Sequence, residues 1–197
     1  MFIAMKNNIS TPYIGLIGSN GSGKSTVCHY LKSKGFTILS LSDIVREEVK
    51  KTNQPLTREN LTQMGTTLKE TQPAILAIKS IEKAASQTKI VFDSIRHPAE
   101  VTYLKEKGTF LIGIDAPIEV RYKRIKTRKD TTDHVDFDTF KQQCEREYDG
   151  KSSGQNIQAC LALCDHHILN KGTLNDLYEQ LDQINQENHL WTMNNHG

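Results

Sequence analysis

The stretch Gly18-Ser19-Asn20-Gly21-Ser22-Gly23-Lys24-Ser25 decides the fold of this chain. It matches the pattern G-x-x-x-x-G-K-[ST] at every required position. The apolar run Tyr13–Ile17 immediately before it predicts a buried strand, and the spacing of apolar residues over residues 24–32 predicts a helix after it. A strand, a glycine-rich turn and a helix in this order form a binding site for phosphate groups.

The residue types in this loop follow from what phosphate binding requires. Glycines let backbone N–H groups converge on phosphate oxygens without a Cβ in the way, and the helix start adds unpaired N–H groups and a positive dipole end. Lys24 is expected to reach the β- and γ-phosphates, and Ser25 is expected to bind Mg²⁺. The predicted ligand is ATP or a close relative, and the residues predicted to bind it here are Gly18, Ser19, Asn20, Gly21, Ser22, Gly23, Lys24, Ser25 and Thr26.

The rest of the chain alternates strands with helices. Further strands are predicted at residues 36–41, 89–93, 109–115 and 167–170, and their near-continuous apolar character predicts a parallel sheet covered on both faces. Helices are predicted between and after them: one capped by Asp43, one from Thr57, and others at residues 74–85, 98–107, 117–128, 137–148, 156–163 and 174–184. The expected architecture is a three-layer α/β/α sandwich with a five-stranded parallel sheet, in which ligands bind at the carboxyl ends of the strands.

The composition is that of an ordinary globular domain. Of the 197 residues, 37% are hydrophobic and 24% are charged, and 25 basic against 23 acidic residues give a formal charge of +2. This balance favours neither nucleic-acid nor membrane binding, and no apolar run approaches the ~18 residues of a membrane span. We expect one domain with a core over residues 12–183 and a lid over residues 128–150. Both termini are expected to fray, the C-terminal one from residue 185 onward.

The four cysteines form no CxxC pair and are too sparse for a disulfide scaffold. Cys160 and Cys164 lie one helical turn apart, close to His166 and His167. We interpret the two cysteines as small residues on one helix face rather than as zinc ligands, because adjacent histidines on a strand point to opposite faces. Reduced thiols fit a cytoplasmic location.

An acceptor site is predicted after the second strand. Asp43 and Arg46 follow that strand, and Arg58 comes at the start of the next helix. An arginine in this position can make a bidentate contact with the phosphate of an acceptor. A helix cap at Asp43 and a solvated Arg46 are the alternative interpretation.

Asp93 is predicted to end the third strand, at the Walker-B position. A carboxylate there holds Mg²⁺ through water or orients the acceptor, so Asp93 and Ser25 are the predicted metal-site residues. Arg96 follows three residues later and is a candidate contact for the acceptor phosphate. An ordinary strand-end turn is the alternative.

Two further segments are predicted to complete the site. Arg121, Arg124 and Arg128 share one face of the helix after the fourth strand, which leads into the predicted lid. Arginines of a lid close over phosphates, exclude water and stabilise the transition state, so Arg124 and Arg128 join Lys24 and Asp93 as catalytic candidates. A solvated basic helix face is the alternative interpretation. Asn170 and Gly172 follow the fifth strand, where a backbone loop either cradles adenine or simply turns into the last helix.

These segments together resemble the small P-loop kinases that act on nucleoside monophosphates and dephospho-coenzyme A, and within them the archaeal and phage-type branch related to adenylate kinase. The likeness covers about residues 12–183 and rests on the phosphate loop followed by Asp43–Arg46, Pro55–Asn60, Asp93–Arg96 with Glu100 and Val101, Asp115–Arg121 and Asn170–Leu174. An acidic lid stretch of the branch is matched here only by Arg146 and Glu147. The bacterial dephospho-coenzyme A kinase pattern after the second strand is not met by Leu41-Ser42-Asp43.

The resemblance implies ATP- and Mg²⁺-dependent phosphoryl transfer to a nucleoside or deoxynucleoside monophosphate. Dephospho-coenzyme A as the acceptor and a nucleotide-binding regulator without kinase activity are the alternatives. A GTPase is disfavoured because Asn170-Lys171-Gly172-Thr173 has threonine where a base-reading aspartate belongs. The partner is therefore a small-molecule phosphoryl acceptor, whose identity the sequence leaves open together with the oligomeric state.

Overall fold

A computed structural model describes residues 13–127, 135–148 and 155–191. Within these ranges five parallel strands form one sheet in the order β2-β3-β1-β4-β5, with crossovers that place β1 at its centre. The strands are β1 (Tyr13–Ile17), β2 (Thr37–Ser40), β3 (Ile90–Ile95), β4 (Phe110–Asp115) and β5 (His166–Leu169). The helices are α1 (Lys24–Ser33), α2 (Leu41–Lys51), α3 (Arg58–Thr71), α4 (Ile75–Ala84), α5 (Pro98–Glu106), α6 (Ile118–Lys126), α7 (Phe137–Tyr148), α8 (Ile157–Ala162) and α9 (Leu174–Asn188).

Alternation along the strands divides the core into two layers. Ile14 and Leu16 of β1 pack with Val27 of α1 and Leu181 of α9 on one face of the sheet. The other face carries Ile17, which packs with side chains of α2, α4, α5 and α8. Because successive strand residues point to opposite faces, fully apolar strands require helices on both sides. The predicted three-layer α/β/α sandwich is confirmed.

A smaller cluster joins α6 to α7. Phe140 and Cys144 of α7 pack against Ile125 of α6, with Tyr122 at the edge. This cluster lies outside the two sheet-facing cores and holds α7 against the helix that follows β4. None of the helices within the described ranges is both long enough and apolar enough to cross a membrane.

Two predicted boundaries near the site are wrong. Helix α2 begins at Leu41 with Ser40 in the N-cap position, so Asp43 lies in the first helical turn and is not the cap. Strand β3 continues past Asp93 to Ile95, because a bulge inserts one extra residue: Gly15 pairs with Phe92, but Ile17 pairs with Ile95. Ser94 in this bulge has a left-handed backbone, with φ 64°.

The expected fraying from residue 185 is also wrong for the residues that the structure describes. Helix α9 runs on to Asn188, and Leu190 and Trp191 are buried against the α1 side of the sheet. The Asn185 side chain accepts a hydrogen bond from the Trp191 N–H at 2.7 Å. Burial of the only tryptophan in the sequence therefore anchors this end of the described chain.

Candidate active site

The phosphate loop connects the carboxyl end of β1 to the first turn of α1. Gly23 occupies the N-cap of α1 with φ 113°, and a Cβ there would collide with the Asn170 amide. Gly21 has φ 79°, and a Cβ would come within 2.7 Å of the Arg121 carbonyl oxygen. Both positions therefore require glycine for backbone conformation and for close packing at once.

The start of α1 offers an uncompensated positive end. Its first turn carries no acidic residue, and no side chain caps its N-terminus. Backbone N–H groups at such a helix start, together with the helix dipole, favour an anion. Ser25 is exposed and Thr26 half-buried in this first turn.

Lys24 arches back over the loop. Its Nζ donates hydrogen bonds to the carbonyl oxygens of Gly18 at 2.6 Å and Ser19 at 3.0 Å. Burial lowers the pKa of Lys24 to about 8, and the nearby Asp93 carboxylate opposes that shift in part. The ammonium group thus lies at the phosphate cradle, in a place where its charge is disfavoured until an anion arrives.

Asp93 lies in the β3 bulge with one carboxylate oxygen unsatisfied. Its Oδ1 is buried and has no hydrogen-bond donor among the described residues, whereas its Oδ2 accepts from the Ser94 hydroxyl at 3.4 Å. Oxygen ligands of this kind suit Mg²⁺, and the Ser25 hydroxyl on the loop is a second such ligand. The residues present therefore fit a magnesium ion.

Arg124 of α6 and Asn170 after β5 hold the loop backbone. Arg124 Nη1 donates to the carbonyl oxygens of Gly21 and Ser22 at 3.5 and 3.4 Å, and its Nη2 donates to Asn170 Oδ1 at 3.1 Å. The same Asn170 donates from Nδ2 to the Ser22 carbonyl at 2.8 Å. The loop backbone is thus fixed by a side-chain network that joins β5, α6 and α1.

Arg121 is more deeply engaged than its sequence context indicated. Its guanidinium is buried, donating from Nε to the Ala116 carbonyl at 3.0 Å and from Nη1 to the Asn20 carbonyl at 3.3 Å. The same Nη1 donates to Cys144 Sγ at 3.0 Å, which ties the loop to α7. The spacing of three arginines predicted that they share one face of this helix. Only the packing shows that Arg121 is a structural bridge between the loop and α7.

The two arginines predicted to contact an acceptor phosphate, Arg46 and Arg96, follow β2 and β3. Arg46 Nη1 donates to Asp43 Oδ1 and to Ser42 Oγ, both at 2.8 Å, in a solvent-exposed arrangement. Arg96 Nη1 donates to Gln155 at 2.9 Å and pairs with Glu147 of α7 at 3.3 Å. Arg96 and Glu147 both act electrostatically on Lys24, so this pair lies on the same side as the phosphate cradle.

A buried acid supports the turn that carries Arg96. Glu100 Oε2 accepts the backbone N–H groups of Arg96 at 2.9 Å and His97 at 3.0 Å. Burial raises the pKa of Glu100, and Lys69, with Nζ 3.8 Å from Oε1, opposes that shift. The sequence motif contained Glu100, but only the structure reveals its positioning role.

Similarity to known proteins places this chain in two families. Residues 14–147 match a family described as an AAA domain. A UPF0200 protein of Methanocaldococcus jannaschii is 33% identical over 180 residues, covering 88% of this chain and 89% of that protein. The chain belongs to the AAA-domain family and to the UPF0200 family. A UPF0200 protein of Pyrococcus horikoshii is 29% identical over 178 residues, 86% of this chain and 93% of that protein. The AAA domain supports nucleotide binding.

Solved structures similar to this UPF0200 chain share its fold. The crystal structure of TT1252 from Thermus thermophilus has a TM-score of 0.62 at 20% identity, covering 90% of this chain and 97% of that one. Shikimate kinase from Acinetobacter baumannii in complex with shikimate has a TM-score of 0.58 at 17% identity, covering 90% and 94%. At these identities the likeness shows a kinase-like fold alone.

The predicted residues of this UPF0200 chain fall into four groups. Hydrogen bonds bring the loop, Arg124 and Asn170 together, and Asp93 acts electrostatically on Lys24 of the loop. Asp43 and Arg46 are exposed in the first turns of α2. Gly172 lies exposed in the turn before α9, where a Cβ would collide with Asp176. Arg128 and the other predicted lid residues at 129–134, 149 and 150 lie outside the described residues, as do residues 151–154 and the side chain of Arg58.

Proposed function

We propose that this protein transfers the γ-phosphoryl group of ATP to the phosphate of a nucleoside or deoxynucleoside monophosphate. The observation that carries the proposal is the convergence of opposite charges on the phosphate loop. Lys24 is influenced electrostatically by Asp93, Arg96 and Glu147, which come from β3, the turn after it and α7. A carboxylate suited to metal and an arginine suited to phosphate are thus both near enough to Lys24 to act on its charge.

The donor half of the proposed site consists of the loop and the start of α1. Backbone N–H groups and the α1 dipole would hold the phosphates, Lys24 would neutralise the β- and γ-phosphates, and Ser25 and Asp93 would hold Mg²⁺. When bound, that ion supplies charge neutralisation and orientation for the phosphates. The unsatisfied Oδ1 of Asp93 supports this assignment, because a buried carboxylate oxygen without a donor is costly unless something binds it.

The acceptor half is proposed to use Arg46 and Arg96. Both hydrogen bonds that Arg46 donates to described residues come from Nη1. Its Nε and Nη2 donate none to the described residues. That leaves one edge of the guanidinium for a bidentate contact with a phosphate. Arg96 is held at the cradle by Glu147 and Gln155, so a second phosphate contact would be preorganised.

Rate enhancement would come from positioning and charge stabilisation. Phosphoryl transfer needs little covalent help from the protein, so aligned donor and acceptor phosphates account for much of it. Arg124 already contacts the loop carbonyls and is proposed to neutralise the transferring group, together with Arg128. Helix α7, fixed by Phe140 and Arg121, would help to exclude water from the reaction.

The test is an acceptor-dependent assay. Purified protein would receive ATP and Mg²⁺ with each of the ribo- and deoxyribonucleoside monophosphates, with dephospho-coenzyme A, or with no acceptor, and ADP formation would be measured. We expect one or a few monophosphates to accelerate ADP formation and to appear as diphosphates. Acceleration by dephospho-coenzyme A alone would reassign the acceptor, and ADP formation that no acceptor accelerates would contradict a kinase.

Two lysines of α1 provide matched variants for this assay. Lys24→Ala should abolish acceptor-dependent turnover, because it removes the cation at the phosphates. Lys32→Ala removes an exposed lysine two turns further along the same helix and should leave turnover unchanged. Equal rates in both variants would refute the assignment of Lys24.

A further inference from the structure

A row of hydroxyl groups crosses the carboxyl edge of the sheet between β2 and β3. The Ser42 and Ser40 hydroxyls are 2.9 Å apart, and Ser40 Oγ lies 3.0 Å from Ser94 Oγ. One end of the row meets Arg46 Nη1, 2.8 Å from Ser42 Oγ, and the other meets Asp93 Oδ2, 3.4 Å from Ser94 Oγ. The row therefore joins a cation to an anion through three serines.

The chemistry of the two ends fixes the direction of every bond. A guanidinium only donates hydrogen bonds and an ionised carboxylate only accepts them, whereas each hydroxyl can do both. The consistent pattern is that Arg46 donates to Ser42, Ser42 to Ser40, Ser40 to Ser94, and Ser94 to Asp93. Bonds aligned head to tail in this way polarise one another, so the row behaves as one unit.

The backbone at the Asp93 end is built to complete the row. Ser40 pairs with Asp93 in the β2–β3 register, and the β3 bulge places Ser94 beside it with φ 64°. A left-handed backbone is costly for serine, and such strain persists where surrounding contacts enforce it. Here the contacts that hold the strained backbone are the two hydrogen bonds of the Ser94 hydroxyl. Bulges commonly re-aim a side chain next to an active site.

We propose that Ser40, Ser42 and Ser94 form a positioning relay that aims the Asp93 carboxylate at Mg²⁺ and couples it to the acceptor-side Arg46. The relay occupies Oδ2 of Asp93 and leaves the buried Oδ1 for the metal side. Acceptor binding at Arg46 and Mg²⁺–nucleotide binding at Asp93 would then strengthen each other. This inference rests on the proposed nucleotide–Mg²⁺ site, but it needs no particular acceptor.

The experiment measures how much Mg²⁺ improves nucleotide binding. ADP is titrated calorimetrically into the full chain with Mg²⁺ and with EDTA, and the ratio of the two Kd values gives a magnesium factor. Ser40→Ala and Ser94→Ala should each reduce this factor about 3- to 10-fold, the effect of losing one ordinary hydrogen bond. Arg46→Ala should reduce it in the same direction, although Arg46 is an exposed residue at the far end of the row.

Three further variants separate the relay from a general structural effect. Ser40→Thr keeps a hydroxyl in a strand position and should restore the magnesium factor, which also covers the case in which Ser40→Ala does not fold. Ser33→Ala removes a serine hydroxyl that donates to the Tyr30 carbonyl at the end of α1 and should change nothing. In an Asp93→Asn background, Ser40→Ala should cause no further reduction, because the relay acts through that carboxylate.

The outcomes distinguish this inference from the function on which it rests. A wild-type magnesium factor near 1 would contradict the metal site of the proposed function and the relay with it. A wild-type factor well above 1 that Ser40→Ala and Ser94→Ala leave unchanged would overturn the relay alone.

Discussion

At the level of single residues, Lys24 carries a charge that its surroundings oppose. Burial lowers its pKa to about 8, while the carbonyl oxygens of Gly18 and Ser19 accept its hydrogen bonds. Phosphate oxygens would supply the missing negative charge and favour the ammonium form. Nucleotide binding and protonation of Lys24 are therefore linked.

The first prediction concerns pH. Above pH 8 Lys24 of the free protein loses its proton, so ADP binding must be accompanied by proton uptake. The ADP affinity should therefore fall as the pH rises from 8 to about 9.5, at most about tenfold per pH unit. Below pH 8 this contribution is complete and the affinity should level off. Calorimetric titrations across this range measure the slope. Lys24→Met should bind weakly with no such slope, and a flat wild-type profile would contradict the linkage.

Gly23 and Gly108 allow a test of why the loop needs glycine. Both have positive φ, at 113° and 78°, but a Cβ on Gly23 collides with the Asn170 amide, whereas a Cβ on Gly108 meets no atom within 4 Å. The second prediction is that Gly108→Ala lowers the free energy of unfolding by about 1 kcal/mol, from backbone strain alone. Gly23→Ala should cost more and also weaken ADP binding at least tenfold. Equal effects of the two variants on ADP binding would contradict the packing role of Gly23.

Among the secondary-structure elements, the turn after β5 controls the shape of the phosphate loop. Asn170 joins the Ser22 carbonyl to Arg124, so β5 and α6 meet on the loop backbone. No sequence periodicity reveals such a bridge, because its partners are 148 and 46 residues away. The adenine cradle expected at Asn170 and Gly172 remains a prediction.

The third prediction compares two buried asparagines. Asn170→Ala should lower unfolding free energy by about 1–3 kcal/mol, because it removes the buried hydrogen bonds of Asn170 to the Ser22 carbonyl and to Arg124, and it should weaken ADP binding. Asn185→Ala removes a comparably buried amide that accepts from the Trp191 N–H and should lower stability without changing ADP affinity. Urea unfolding and calorimetry measure the two effects. Unchanged ADP affinity in Asn170→Ala would contradict its control of the loop.

For the whole molecule, the α1 face of the sheet is closed by the end of the described chain. Trp191 is 5% exposed and packs edge-on against Phe36 and Tyr30, and the Tyr30 hydroxyl donates to Asp182 of α9. Residues from α1, the segment before β2 and α9 thus share one aromatic cluster. This cluster supports the phosphate loop through α1, because α1 begins in the loop.

The fourth prediction is that Trp191→Ala lowers unfolding free energy by about 3–5 kcal/mol, the usual cost of truncating a buried aromatic side chain. Leu174→Ala, at a position 53% exposed, should change it by no more than about 0.5 kcal/mol. Urea unfolding followed by circular dichroism measures both without relying on tryptophan fluorescence. A small loss in Trp191→Ala would show that residues near 191 contribute little to folding.

The local features of this protein could be predicted from its residues. The G-x-x-x-x-G-K-S spacing identified the loop, because only glycine fits its backbone, and apolar runs identified five strands, because both sheet faces must be covered. Glu100 and the serines Ser40, Ser42 and Ser94 gave no comparable signal, since their functions depend on residues distant in sequence.

The ends of the elements and the contacts between polar groups depend instead on tertiary packing. Pairing with β1 inserted the bulge at Ser94, docking of Trp191 extended α9 past the expected end, and the parallel sheet brought Arg46 and Asp93 to one edge. Each outcome depends on contacts between strands or layers, which local periodicity does not encode. The loop was therefore predictable from its residues, whereas the hydroxyl row and the Asn170–Arg124 network that surround it depended on long-range packing.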